Sequence, residues 1–183
     1  MSTPRVPPRP SDDWDDETRE VMAGLLTGPD DQTLNIFATL AHHPKLLKRW
    51  LVFGNHVLGK NTLSAREREL LILRTAWCCF SDYEWGEHVS IGKTAGLTDA
   101  EIDRVSHAGT AGWNDQDAAL VQAVDELHAE SRVSESTWLA LAKTHDTKQL
   151  LDVVFTIGQY HLVAFALNSL GVPREPGVDG FPA

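Results

Sequence analysis

The sequence predicts an all-α protein of about eight to ten helices, and three of its features support this prediction. Apolar residues recur at intervals of three to four positions along most of the 183 residues, which is the periodicity of amphipathic helices. Residues that favour helix starts precede these segments, and Gly171 with Pro173 behind it is a typical stop signal. No segment shows the alternation and tight turns that indicate β-hairpins.

The two ends of the chain differ from this helical pattern. Residues 1–10 contain four of the nine prolines and are predicted to form an extended arm. Residues 173–183 are predicted to form an irregular tail. Residues 11–172 are predicted to form a single domain, since a chain of this length can bury one sizeable core. Its first helix is expected to be capped by Ser11 and to end near Gly28.

The helices that follow have recognisable start signals. The starting residues are Pro44, Ser64, Thr98, Asn114 and either Ser134 or Ser136. A short apolar helix is expected before Pro44 and another helix after Tyr83. The last helix, about 147–170, is apolar through its centre.

Two of these helical stretches, 65–80 and 147–170, are apolar around most of their circumference, a pattern typical of helices buried on all sides. A monomer of 183 residues has little room for several such helices. We therefore expect a homo-oligomer in which another subunit covers part of this surface. The units 65–97 and 115–171 could form an internal repeat, although the similarity between them is weak.

Composition excludes several classes of function. The net charge of −10 disfavours binding to nucleic acids or anionic membranes, because both need a basic surface. The apolar runs are expected to be too short to cross a membrane, and the first 17 residues lack the apolar segment of a signal peptide. The two cysteines are adjacent and cannot join distant segments. A cytoplasmic protein is expected.

Three ionisable side chains are predicted to point into the protein. On a helix at about 100° per residue, Glu84 and His88 share a face with Trp85 and Ile91. Glu69 lies in line with apolar residues of the preceding helix. Since burying a charge without partners is costly, these groups must pair, take up protons or line a pocket. A histidine with two carboxyls could supply a general acid and a general base.

Structural roles remain open for the same residues. Ser81 and Glu84 have the spacing of a capping box. His88 could be a core histidine bonded to a neighbour, and Glu69 could be a buried partner of Arg74 or His88.

Metal and redox roles depend on weaker signals. Glu69, Glu84 and His88 could supply three ligands, but no zinc-binding motif supports this, so no metal is expected. Cys78 and Cys79 lie on a buried helix, where thiols are usually inert packing groups. A redox role for Cys79 stays open.

The stretch "ERELLILRTAWCCFSDYEWGEHVSIGKTAGL" resembles the carboxymuconolactone decarboxylase family, which also contains alkylhydroperoxidase D. The resemblance is clear over about residues 45–105, and the last helix also has the family's character. It implies an all-α domain of the alkylhydroperoxidase D type, built around a helix pair, that assembles into trimers or hexamers. It also implies a small-molecule substrate.

The resemblance implies site residues as well. In the alkylhydroperoxidase branch, a glutamate is followed after eleven residues by C-x-x-C-x-x-x-H, and Glu69 and His88 match its ends. Ser81 and Glu84 occupy the two cysteine positions, so thiol–disulfide exchange is not expected there. The decarboxylase branch has Glu-x-x-x-His, which Glu84 and His88 match. This pattern implies cofactor-free acid/base chemistry on a small organic acid or lactone.

In this hypothesis His88 moves the proton. Glu84 holds His88 in the required tautomer or acts as a second acid or base, and Glu69 lies behind these two residues. The candidate substrate-binding residues are Ser81, Tyr83, Trp85, Tyr160 and His161. Two alternatives are a peroxidase that uses Cys79 and a non-catalytic oligomeric helical protein.

Overall fold

The predicted all-α fold is confirmed by a computed structural model that describes residues 3–23, 25 and 32–182. Within these residues there are nine α-helices and no β-strand. They are α1 Asp16–Met22, α2 Asn35–Leu40, α3 Pro44–Gly59, α4 Ala65–Cys78, α5 Asp82–Thr94, α6 Asp99–Val105, α7 Asp115–Glu130, α8 Glu135–Leu141 and α9 Thr147–Leu170. The division into one domain with two arms, and the weak internal repeat, stay predictions.

The start of the first helix differs from the prediction. Ser11 opens only a short 3-10 turn, and Asp15 caps α1 by accepting a hydrogen bond from the Thr18 N–H at 2.8 Å. Between them the backbone is extended at Trp14, whose indole N–H donates to the Arg9 carbonyl. The residue that caps the first helix is therefore Asp15, four residues after the predicted cap Ser11. The predicted end at Gly28 lies outside the described residues.

The other helix ends depend on local hydrogen bonds. Ser64 and Thr98 each form a capping box with the glutamate three residues later, and Asn114 accepts from the Asp117 N–H. Of the two serines that could open α8, the structure selects Ser134. α9 ends at Gly171, whose φ of 68° is a left-handed conformation that favours glycine.

Helix α4 lies at the centre of the fold and packs against α5, α7 and α9. Its residues Leu70, Leu71, Ile72 and Leu73 are fully buried, so the helix is covered on all sides as its composition indicates. Because only three residues connect α4 to α5, the two form an antiparallel pair. Side chains on their facing sides are thereby brought together.

The expectation about apolar runs needs correction for α9. With 24 residues and a mean hydropathy of 1.6 over its most apolar window, it is long and apolar enough to cross a membrane. Half of that window is buried within the fold, and a core helix meets the same criterion.

The C-terminal tail folds over α5. The Phe181 ring packs against Trp77 and Trp85 at centroid distances of 5.1 and 5.4 Å, and its N–H donates to Asp82 at 2.8 Å. A side chain at position 86 would place its Cβ 2.5 Å from the backbone oxygen of residue 179, so Gly86 permits this close approach. Helix α5 is consequently covered by the tail as well as by α4 and α9.

Candidate active site

Glu69 of α4 and His88 of α5 form a hydrogen-bonded pair between the two central helices. The Glu69 Oε2 atom lies 2.7 Å from His88 Nδ1, and Arg68 Nε donates to Glu69 Oε1 at 3.2 Å. The Glu69 side chain is fully buried, whereas that of His88 is 12% exposed. Solvent therefore reaches the histidine but not the carboxylate behind it.

Arg74, the other partner considered for Glu69, points elsewhere. Its guanidinium donates to both carboxylate oxygens of Asp125 at 2.7 and 2.9 Å and to the His107 carbonyl at 2.8 Å. These bonds join α4 to α7 and to the end of α6. The hydrogen-bond partners of Glu69 are therefore Arg68 and His88, not Arg74.

The contact with Glu69 orients the His88 ring. An ionised carboxylate can only accept hydrogen bonds. His88 Nδ1 therefore carries the ring proton and donates a hydrogen bond to Glu69. In the neutral imidazole the lone pair then lies on Nε2, at the opposite side of the ring. Among the described residues no hydrogen bond to this Nε2 atom occurs, which leaves it free to exchange a proton with a substrate.

Tyr160 of α9 lies beside this pair. Its ring contacts the His88 ring edge-to-face, with centroids 5.1 Å apart and planes at 90°. Burial, followed by the charges of Glu69 and Glu84, raises the pKa of the Tyr160 phenol well above its ordinary value. The phenol therefore keeps its proton, and its surroundings include both carboxyl groups.

Glu84 is buried without a partner. Glu84 as a whole is 2% exposed. Neither oxygen of its carboxyl group has a hydrogen-bond partner within the part of the chain that the structure describes. Burial raises the pKa of this carboxyl well above 4.5, its ordinary value. An apolar environment with no cation favours the protonated acid.

The capping-box role of Glu84 is wrong. The Ser81 side chain makes no capping hydrogen bond to α5, and the Ser81 N–H that Glu84 would bind already donates to the Ala76 carbonyl at 2.9 Å. Ser81 is fully buried, and its hydroxyl oxygen has no partner in the described ranges. Both positions that the predicted resemblance aligns with motif cysteines thus hold unpartnered polar groups, which are rare in protein interiors.

The candidate substrate-binding residues Tyr83 and Trp85 lie on different sides of α5, Tyr83 toward α9 and Trp85 toward α4. The Tyr83 hydroxyl donates to Glu175 Oε1 at 2.7 Å, and Trp85 packs against Trp77 and Phe181. Both also contact the tail, and among the described residues neither makes a hydrogen bond or a ring contact with His88. By contrast Ile91, predicted to face inward, is 42% exposed. The prediction from the helical wheel assumed that only one face of α5 is buried, but the tail buries a further face.

His161, the remaining candidate, belongs to a second cluster. Its Nε2 atom lies 3.1 Å from His128 Nδ1, and Cys79 Sγ lies 3.9 Å from the same His128 atom. Burial, together with the charges of Glu84 and Cys78, raises the pKa of the Cys79 thiol to about 12. Sequence reasoning missed His128, because only the packing of α7 near α4 and α9 brings it here.

Two cavities in the described structure lie away from the Glu69–His88 pair. One of about 290 Å³ lies between the start of α5, the end of α9 and the tail, with Asp82, Asn168 and Arg174 in its lining. The other, of about 600 Å³, lies between α7 and α8. Neither is lined by Glu69, Glu84 or His88, so a substrate would approach His88 from its exposed edge.

Comparison with known proteins supports the family resemblance. Residues 44–126, which include Glu69, Glu84 and His88, match the model of the Carboxymuconolactone decarboxylase family. This match confirms the resemblance predicted from the sequence. No curated protein matches the chain.

Solved structures share the fold over nearly the whole chain. An uncharacterized peroxidase-related protein from Ralstonia eutropha JMP134, described as an alkylhydroperoxidase AhpD core, has a TM-score of 0.77 at 19% identity and covers 96% of this chain and 95% of its own. A peroxidase-related protein from Silicibacter sp. TM1040 has a TM-score of 0.78 at 14% identity, covering 97% of each chain. The debrominase Bmp8 has a TM-score of 0.76 at 11% identity, and the match covers 93% of this chain and 92% of the Bmp8 chain. At these identities the likeness shows the fold alone.

Proposed function

We propose that this protein is a cofactor-free enzyme that moves a proton on a small organic acid or lactone, in a decarboxylation or a related reaction. The observation that carries this proposal is the buried Glu69–His88 pair. It fixes the tautomer of His88 and leaves the Nε2 atom at the side of the ring away from Glu69. The match to the carboxymuconolactone decarboxylase family over residues 44–126 supports the same class of chemistry.

The two carboxyl groups suit opposite roles. Glu69 is hydrogen-bonded to Arg68 and His88, whereas the buried Glu84 carboxyl has no described partner and burial raises its pKa. Environments that differ in this way separate a base from an acid in one site. His88, held by Glu69, accepts or returns the proton at Nε2, and the neutral Glu84 acid donates a hydrogen bond to the oxygen on which negative charge develops.

Arg68 provides a charge for an acidic substrate. Its Nε atom is used by Glu69, but in the described residues its two terminal NH₂ groups have no hydrogen-bond partner. A guanidinium with free terminal groups can bind a carboxylate in a bidentate manner. We therefore favour organic acids over neutral lactones as substrates.

The two rival functions fit the site less well. A peroxidase needs a thiolate, and burial raises the pKa of the Cys79 thiol to about 12. A purely structural role leaves unexplained why Glu84 and Ser81 are buried without partners, at about 1–3 kcal/mol for each unsatisfied group.

Proton transfer can be tested directly with a panel of small organic acids and lactones. The protein, treated with a chelator, is incubated with each compound in D₂O, and products and deuterium incorporation are followed by NMR. We expect catalysed deuterium incorporation or loss of CO₂ from at least one carboxylic acid. Peroxide consumption that requires Cys79, with no turnover of any acid or lactone, would contradict the proposal.

We also propose that a second copy of the chain covers one face of α9. Leu151, Phe155, Leu162 and Phe165 are each more than half exposed and recur at every third or fourth position together with Gly158. This heptad-like spacing is typical of helix–helix seams. Nothing lies within 4 Å of a Cβ added at Gly158, so a partner helix can approach closely there.

Phe155→Glu tests this assembly. Light scattering coupled to gel filtration is expected to give a multiple of 20.2 kDa for the wild type and a lower mass for the variant, since the charge interrupts the apolar stripe. Leu139→Glu is the matched control, because Leu139 is equally exposed but lies on α8. A monomeric wild type would refute the proposal.

A further inference from the structure

We propose that Cys79, His128 and His161 form a binding site for a Zn²⁺ ion, distinct from the Glu69–His88 pair. Each of the three side chains offers one ligand atom, and these atoms lie within 4.8 Å of one another. They come from three elements: the end of α4, the last turn of α7 and the middle of α9. The site is therefore built by the tertiary fold rather than by a local sequence motif.

The spacing of the ligand atoms suits a metal of this size. With Zn–N distances of about 2.0–2.1 Å and Zn–S of about 2.3 Å, ligand atoms of a tetrahedral site lie about 3.3–3.6 Å apart. The observed separations are 3.1 Å between the two histidine nitrogens and 3.9 Å between Cys79 Sγ and His128 Nδ1. The third separation, between Cys79 Sγ and His161 Nε2, is within 4.8 Å. Rotation of two half-buried side chains and one exposed side chain toward a common centre brings the set to the required geometry.

The His161 ring is already oriented for metal binding. Its Nδ1–H donates to the Ile157 carbonyl at 2.9 Å, which fixes the tautomer and leaves the lone pair of Nε2 directed at His128 and Cys79. A backbone carbonyl in this position is a usual outer partner of zinc-bound histidines.

Cys79 is held in position as well. Its carbonyl accepts a hydrogen bond from Asn168 Nδ2 at 2.8 Å, and the next residue, Phe80, has a φ of 52°. This left-handed residue turns the chain sharply after α4, and the Cys79 sulfur lies toward α7, 3.9 Å from His128 Nδ1. The adjacent Cys78 points away, with its sulfur 3.6 Å from Asp125.

The donor set determines the class of metal. One sulfur and two imidazole nitrogens suit Zn²⁺, whereas Mg²⁺ and Ca²⁺ prefer oxygen ligands. On binding, the thiol proton of Cys79 passes to solvent, and His128 binds through Nδ1 with its proton on Nε2. Three protein ligands leave a fourth position for water or a small ligand.

Cobalt titration tests the site without an activity assay. Co²⁺ is added to the metal-free wild-type protein, and the thiolate-to-metal charge-transfer band and the visible ligand-field bands are recorded; Zn²⁺ is then added as a competitor. We expect one equivalent to bind with tetrahedral spectra and Zn²⁺ to abolish them. Loss of the sulfur ligand in Cys79→Ser should remove the charge-transfer band and weaken Zn²⁺ affinity by more than about 100-fold.

Cys78→Ser provides the matched control, because it removes the neighbouring thiol and leaves the proposed ligands in place. His128→Ala provides a second variant, since this exposed residue can be replaced without disturbing the core. Tetrahedral spectra in Cys78→Ser and weakened binding in His128→Ala would support the proposal. Wild-type protein with no thiolate band, or a band that survives in Cys79→Ser and disappears in Cys78→Ser, would overturn it.

Discussion

Replacing His88 by asparagine is expected to lower kcat/KM by about 10²–10⁴-fold, the usual contribution of a positioned general acid or base. The asparagine amide can occupy the place of Nδ1 and donate to Glu69, so the buried carboxylate keeps a partner. It has no atom that exchanges a proton at the position of Nε2. Steady-state kinetics on an acid identified in the D₂O panel, together with thermal unfolding, measure both effects.

His145→Gln is the matched control for this variant. His145 also forms a buried histidine–glutamate pair, with its Nε2 atom 3.1 Å from Glu67 Oε1, but it lies after α8 and away from the site. The glutamine amide replaces Nε2 as the donor. We expect unchanged kcat/KM per folded molecule. A similar loss of activity in both variants would show that general destabilisation, rather than proton transfer, explains the result for His88.

Replacing Glu84 by glutamine is expected to have opposite effects on activity and stability. Activity should fall by about 10²-fold, because the amide has no acidic proton to share with the developing charge. The free energy of unfolding should rise by about 1–3 kcal/mol near pH 7, since the unfolded chain no longer gains from ionising this residue. Kinetics and urea denaturation at several pH values test these expectations.

The pH dependence of the stability gain has a definite direction. The pKa of the Glu84 carboxyl is raised well above 4.5 in the folded protein, so the folded state binds the proton more tightly than the unfolded state. Its contribution to stability is fully present below pH 4.5 and falls by about 1.4 kcal/mol per pH unit above it, until the folded-state pKa is reached. The two proteins should therefore be equally stable near pH 4 and diverge as the pH rises.

Glu101→Gln provides a control of opposite sign. Burial opposes ionisation of Glu101, but hydrogen bonds from Thr98 and Arg66 outweigh it and lower the pKa to about 2. This carboxylate stabilises the fold above its ordinary pKa and loses that contribution as the pH falls, so its replacement should reduce stability near pH 7. If Glu84→Gln also reduced stability at that pH, the description of Glu84 as a buried unpartnered acid would be wrong.

Local signals in the sequence predicted most of the helices. Ser64, Thr98 and Asn114 cap their helices by bonding to residues three positions later, so a reader of the sequence sees both partners together. The first helix was mispredicted because Ser11 and Asp15 are both good caps. The choice between them depends on how Arg9 packs, and its guanidinium donates to the carbonyl of Ala41, a residue distant in the sequence, at 3.2 Å.

The candidate site could be predicted only in part for the same reason. The inward direction of Glu69, Glu84 and His88 follows from helical periodicity, and the short connection between α4 and α5 brings the first and last of them together. The surroundings of Tyr83 could not be anticipated, because a tail some 90 residues further along the chain covers that side of α5. His128 likewise joins its cluster only through packing between distant helices.

The contact of Phe181 with Trp77 and Trp85 gives the molecule an intrinsic optical reporter. Indole emission depends on the polarity around the ring and on its aromatic neighbours. Trp77 and Trp85 contact each other, and both contact Phe181, so they lie in one common environment. Trp85 lies next to Glu84 in α5 and one helical turn before His88, so a shift of that helix alters the surroundings of the fluorophore. Ligand-induced movement at the candidate site can thus be followed, without attaching a dye, as the part of the tryptophan fluorescence change that is lost in Trp85→Phe.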